Sequence, residues 1–135
     1  MMEILFRGKR LDNGEWVEGF YNHIPCGKLG KDEHLIQTIL ENGRIGMWHD
    51  TDPYTVGQYT GLKDKNGKRI FEGDVAKVLQ GKDKDIAYVG FENGAFMLYP
   101  KIGNIYERTL WEYWYNDWNV EVIGNITDNP ELLEK

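Results

Sequence analysis

The chain has 135 residues, 22 acidic against 16 basic, a formal net charge of −6 and a single cysteine. That length suits one domain, residues 1–135, able to bury a core, and a lone cysteine excludes an internal disulfide and suits a reducing cytoplasm. The acidic balance excludes attraction of the whole molecule to nucleic acid, and no apolar run has the length of a signal peptide or membrane span, so a soluble cytoplasmic protein is expected.

Asn-Gly recurs four times, at Asn13-Gly14, Asn42-Gly43, Asn66-Gly67 and Asn93-Gly94. Both residues tolerate the positive φ of a tight type I′ turn, so each copy predicts a β-hairpin. Residues 4–10 and 15–21 flank the first. Ile4, Phe6 and Gly8 share a face there, and Trp16 and Phe20 are placed to pack from the partner strand. Residues 22–33, with Pro25, Gly27 and Gly30, read as a loop. Segments 35–40 and 44–48 form the second hairpin, and Asp50 to Pro53 a turn whose Asp and Thr side chains can hold backbone N–H groups. A strand over 56–62 turns at Lys65-Asn66-Gly67 into 68–71.

Gly73-Asp74 punctuates the chain before a strand at 75–79, with Asp74 expected to accept backbone N–H bonds there. Residues 81–85 read as a charged turn, 86–92 and 95–99 as the fourth hairpin, and 120–127 as the last strand. Asn129-Pro130-Glu131 carries an N-cap side chain, proline at the first helical position and an acid in the first turn, predicting a terminal turn or two of helix. Between Tyr106 and Trp118 six aromatics fall within thirteen residues. Trp111, Trp114, Tyr115 and Trp118 share a helical stripe, whereas Trp111, Tyr113 and Tyr115 alternate as in a strand. Good helix formers at Glu107, Arg108, Leu110 and Glu112 favour a short helix near 106–116. One stripe cannot bury so many rings. Trp111, Trp114, Tyr115 and Trp118 are therefore the candidate interface of a homo-oligomer.

Few constellations suggest chemistry. His23, Cys26, His34 and His49 have no paired Cys-x₂-Cys knuckle and match no closed zinc pattern, so a solvated loop without metal or cofactor is expected. Asp50, Asp52, Asp64, Glu72 and Asp74 could pair as acid and base, but Asp50, Asp52 and Asp64 read as turn formers and Asp74 as an acceptor for a backbone N–H in the turn entering Val75. Nothing marks a nucleophile, an oxyanion hole or a phosphate loop, and no enzyme is expected. Residues 62–85 hold seven bases against five acids, while 104–135 hold two bases against seven acids. Lys63, Lys65, Lys68 and Arg69, beside Tyr59 and Phe71, form a candidate contact for single-stranded nucleic acid.

Three blocks also carry a family resemblance: 4–10 leading to 13–19; 56–68 continuing to 70–75; and 120–126 with Asn129-Pro130-Glu131-Leu132-Leu133. They cover a little under half the chain. In that order they resemble the YopX family of small proteins carried by temperate phages and prophages. The resemblance implies a β-rich accessory protein of the infected bacterial cytoplasm and supplies no catalytic residues.

The expected fold is mainly β: a small, partly open antiparallel barrel built from hairpins, SH3-like around 56–99, with one short helix and a C-terminal helical turn. Two functions fit it. One is a non-catalytic, self-associating interaction protein whose partner is a host or phage protein. The other is a nucleic-acid-binding module using the hairpin around 59–71. They differ in salt dependence, because phosphate contacts weaken steeply with ionic strength.

Overall fold

The computed structural model describes residues 3–103, 105, 107–115 and 119–134, with the backbone alone at 114 and 115. Among the described residues strands dominate, their pairing is antiparallel, and helix is confined to short pieces. Two compact units succeed one another along the chain, the first ending at Tyr59 and the second starting at Thr60.

The first unit contains β1 (Phe6–Lys9), β2 (Trp16–Ile24), β3 (Glu33–Ile39) and β4 (Ile45–Asp50), ordered β4-β3-β2-β1. The first residues of β5 (Gly57–Lys63) add to β1, with Phe6 opposite Gln58. Ile36 of β3, Gly8 and Thr51 are buried together, and a Cβ on Gly8 would lie 3.2 Å from Ile36 and Val56. At one end the layer curls. Leu11 N–H bonds the Asp50 carbonyl, Asp52 N–H bonds the Lys9 carbonyl, and Arg10 bridges Thr51.

Register corrects one expectation here. Phe6 lies opposite Gly19 and Gly8 opposite Val17, which sends Trp16 and Phe20 to the other face. Phe6 packs on Tyr21 instead, with centroids 5.2 Å apart, and Trp16 lies under the Arg7 guanidinium at 4.8 Å. β2 also runs on to Ile24, so the expected loop at 22–33 is shorter. Its middle is a 3₁₀ turn, Lys28–Gly30.

The second unit places β6 (Arg69–Phe71) beside the later residues of β5. Its main sheet contains β7 (Asp74–Gln80), β8 (Asp83–Glu92), β9 (Ala95–Pro100), β10 (Arg108–Thr109) and β11 (Asn119–Asn125), ordered β10-β9-β8-β7-β11. Alternation on these strands buries Ala76, Val78, Ala87, Val89, Leu98 and Val120 in one apolar core, joined by Ile70 and Ile105. Helix α1 (Leu110–Tyr115) closes over that core with Leu110 and Tyr113, the latter 0% exposed. The sheets stay open rather than closing into a barrel, in keeping with the partly open architecture expected from the hairpins.

The turns differ in kind from expectation. Only Asn93-Gly94 has positive φ at both residues, +52° and +83°, joining Glu92 to Ala95 as a two-residue loop. At the other three copies glycine alone is left-handed. Those loops are longer, and Asn13 and Asn42 instead accept the N–H two residues on through their side chains, each at 2.9 Å. The charged turn expected at 81–85 is also corrected. β8 begins at Asp83, and Asp85 is buried within it, accepting N–H bonds from Ile86, Ile102 and Gly103.

Asp64 organises the third turn. Its Oδ1 accepts the N–H groups of Asn66 and Lys68, and its Oδ2 that of Val122, all at 2.9 Å. Burial, to 8% exposure, works against its charge, but the N–H groups of Val122, Lys68 and Asn66 outweigh it and hold the carboxyl below the usual carboxylate range. Its stabilising contribution is therefore present above the unfolded carboxylate pKa and lost as pH falls through the folded value. Asp64→Asn should cost about 1–3 kcal/mol near neutral pH, because an amide aims a donor at one of those three donors. In urea unfolding the gap between the two proteins should shrink as pH drops below about 4; a gap independent of pH would contradict the account.

Gly67 holds φ +81° with open space around it, so a side chain there meets strain rather than collision. Gly67→Val should destabilise the protein by more than about 1 kcal/mol. Equilibrium unfolding provides the measurement, and an unchanged midpoint would overturn the left-handed turn.

Candidate functional site

The sequence candidates separate once placed on the fold. At the basic hairpin, Lys63, Lys65 and Lys68 are exposed and Arg69 is half-buried. Lys65 Nζ lies 3.9 Å from the Glu121 carboxylate, and Asn66 donates to the same group at 3.2 Å. Tyr59 is only 4% exposed and Phe71 is buried too. Neither ring is available for a base to stack on, so the hairpin offers charge without an aromatic platform. Asp74, singled out beside it, accepts the Phe71 N–H at 2.7 Å, which is a turn-holding role.

Helix α1 leaves Trp111, the first residue of the stripe read in sequence, on its outer side. Leu110 and Tyr113 face the core, burial pushing the Tyr113 hydroxyl up to about 12, whereas Trp111 is 55% exposed. The signal for this helix was present in Thr109-x-x-Glu112. Thr109 Oγ1 accepts the Glu112 N–H at 3.2 Å and donates to its carboxylate at 3.1 Å, an N-cap side chain that sets the helix start. The side chains of Trp114 and Tyr115, together with Tyr106 and Trp118, lie outside the described residues. The C-terminal helical turn is a 3₁₀ turn, Pro130–Leu133, and Asn129 does not cap it; its Oδ1 accepts the Asn125 N–H instead.

The histidines are brought together in part. His23 on β2 stands directly opposite His34 on β3, their rings stacked at 4.4 Å and 7°. Asp32, just before β3, completes the group, its Oδ2 3.1 Å from His23 Nε2. One ligand atom from each of His23, Asp32 and His34 lies within 4.8 Å of the others. Cys26 contributes its backbone N–H, which bonds Asp32 Oδ1 at 3.2 Å. That bond and His23 together hold the Asp32 carboxyl below its usual range. His34 Nδ1 meets the Tyr21 hydroxyl at 2.6 Å. His49 sits on β4 opposite Ile36, apart from this group. Asp32 was not singled out in the sequence, because it stands nine residues beyond His23 and only the β2–β3 pairing returns it there.

A second surface was not read from the sequence at all. Phe20, Gln37 and Trp48 form one cross-strand row over β2, β3 and β4, and Ile39 with Ile45 forms the next on that face. Phe20, Ile39, Ile45 and Trp48 are all exposed. β4 is the end strand of its sheet, and its Met47 is exposed as well. An open groove of about 620 Å³ runs beside it, walled by Arg10, Leu11 and Asp12 opposite residues 47–50. A bulge separates the two apolar rows, which is why alternation counted from the Asn-Gly turn did not expose them.

Among the described residues no helix is long and apolar enough to cross a membrane. No curated protein matches the chain. Among solved structures, protein EF1440 from Enterococcus faecalis is similar over 99% of this chain and 100% of its own, at 24% identity and a TM-score of 0.57, a likeness of fold. The family described as YopX protein matches residues 5–134. That span takes in the three sequence blocks, but for Ile4, and the segments between them, and the chain belongs to the YopX family.

Proposed function

We propose that this YopX chain is a phage- or prophage-encoded accessory protein of the bacterial cytoplasm that works without catalysis, by binding protein, its first partner being a second copy of itself. The observation that carries the reading is the exposed apolar face of β2, β3 and β4, which continues to an open sheet edge. A soluble sheet with an apolar end strand is a template for pairing. β4 is suited to pair with itself. Ile45, Met47 and Trp48 are exposed along its length, while at its end the Asp50 carbonyl is already held by the Leu11 N–H, so a two-fold antiparallel pairing uses residues 45–48. The buried carboxylates of Asp64, Asp74 and Asp85 all accept backbone N–H bonds, and this supports the non-catalytic part of the reading. The nucleic-acid alternative keeps exposed lysines but lacks a stacking ring.

Sedimentation equilibrium at micromolar concentration tests the proposal. The unmodified protein should be a dimer, with an affinity little changed between low and high salt. Phe20→Ser with Trp48→Ser should sediment as a monomer while far-UV circular dichroism is retained. Trp111→Ser, made separately, should leave the dimer intact. A monomeric unmodified protein would sink the self-association, and salt-sensitive binding of an oligonucleotide would favour the alternative.

A further inference from the structure

We infer that His23, Asp32 and His34 form a binding site for a divalent transition-metal ion of the zinc type. The donor set is two imidazole nitrogens and one carboxylate oxygen, a combination zinc accepts with a further position left to water. The three come from one hairpin, whose pairing places the two rings face to face before any ion arrives. His23 Nε2 and Asp32 Oδ2 are 3.1 Å apart, close to the roughly 3.3 Å edge of a tetrahedron with metal–ligand bonds near 2.0–2.1 Å. With all three ligand atoms inside 4.8 Å, side-chain rotation brings them onto one ion and the strands need not move.

The surroundings match what a metal site requires beyond its ligands. A ligating histidine holds its second ring nitrogen with a hydrogen bond, which selects the tautomer and orients the ring. Tyr21 does this for His34: its hydroxyl contacts Nδ1 at 2.6 Å, leaving Nε2 as the nitrogen for the ion. With metal on Nε2, Nδ1 carries the proton and donates it to the Tyr21 oxygen. Asp32 is steadied likewise, since Oδ1 takes the Cys26 N–H and Oδ2 remains directed at His23. The loop between the ligands is internally bonded, Gly27 N–H to the Lys31 carbonyl at 2.8 Å and Gly30 N–H to the Gly27 carbonyl at 3.1 Å. The Cys26 thiol lies outside the ligand group. The site stands apart from the apolar face of Phe20 and Trp48, because His23 and Phe20 alternate to opposite sides of β2.

Calorimetric titration of the tag-free protein with Zn²⁺, and Co²⁺ substitution followed by visible absorption, test the site. One equivalent of Zn²⁺ should bind at micromolar or tighter affinity, and Co²⁺ should give ligand-field bands. His23→Asn and Asp32→Asn change exposed side chains and should each weaken binding by at least about tenfold with circular dichroism unchanged. Tyr21→Phe should weaken it less, and Cys26→Ser should bind as the unmodified protein does. Absence of Zn²⁺ binding would overturn the inference. So would unaltered affinity in His23→Asn and Asp32→Asn, or loss of binding in Cys26→Ser, which would assign the ion to other ligands.

Discussion

The pairing register of β2 with β3 is the constraint on which the first unit depends. Side chains alternate across a strand with a period of two, so a slip of one residue would exchange its faces. As paired, Tyr21 stands opposite the buried Ile36, His23 opposite His34, and Phe20 opposite Gln37 on the reverse side. Core, histidine pair and apolar surface are thus three consequences of one alignment. Gly19 helps to hold it. A Cβ there would collide with the Gln37 carbonyl, so the strands approach at that point only because residue 19 is glycine. The bonded loop over 27–31 fixes the other end.

Buried carboxylates do for the second unit what that register does for the first. Asp64 joins its own turn to β11 through the Val122 N–H, and Asp85 gathers the backbone at 102 and 103 to β8. Each replaces lost hydration with charge-assisted bonds to N–H groups that would otherwise be left without acceptors. Short acidic side chains buried in this way are engaged in building the fold. An acid that looks catalytic by position in the sequence can be structural for this reason, and Asp64 and Asp74 both hold backbone in place.

The two exposed features of the first unit rest on different physics. The face of Phe20, Ile39, Ile45 and Trp48 leaves apolar area in water, which favours a partner that removes it. The group at His23, Asp32 and His34 concentrates lone pairs instead, and its geometry is set by the strands and by Tyr21. They occupy opposite sides of β2, so an ion on one side does not obstruct a strand or surface docking on the other.

Local chemistry made much of the architecture legible. The strands flanking all four Asn-Gly turns lie within a few residues of where alternation places them, though the β2–β3 hairpin, which has no Asn-Gly, does not follow from them, and the three sequence blocks carry the YopX family. These signals are short-range, which is why they survive in a linear reading. The errors lie where long-range contacts decide. Trp16 and Phe20 go to the face opposite Phe6 because of register, and Asp85 is drawn inside by backbone at 102 and 103. Asp32 joins His23 across nine positions only because β2 and β3 pair. By itself the sequence determined where the chain turns and which family it belongs to. Tertiary structure alone decided which side chains meet, because that depends on strand alignment, and alignment is settled by the summed packing of residues far apart in the chain.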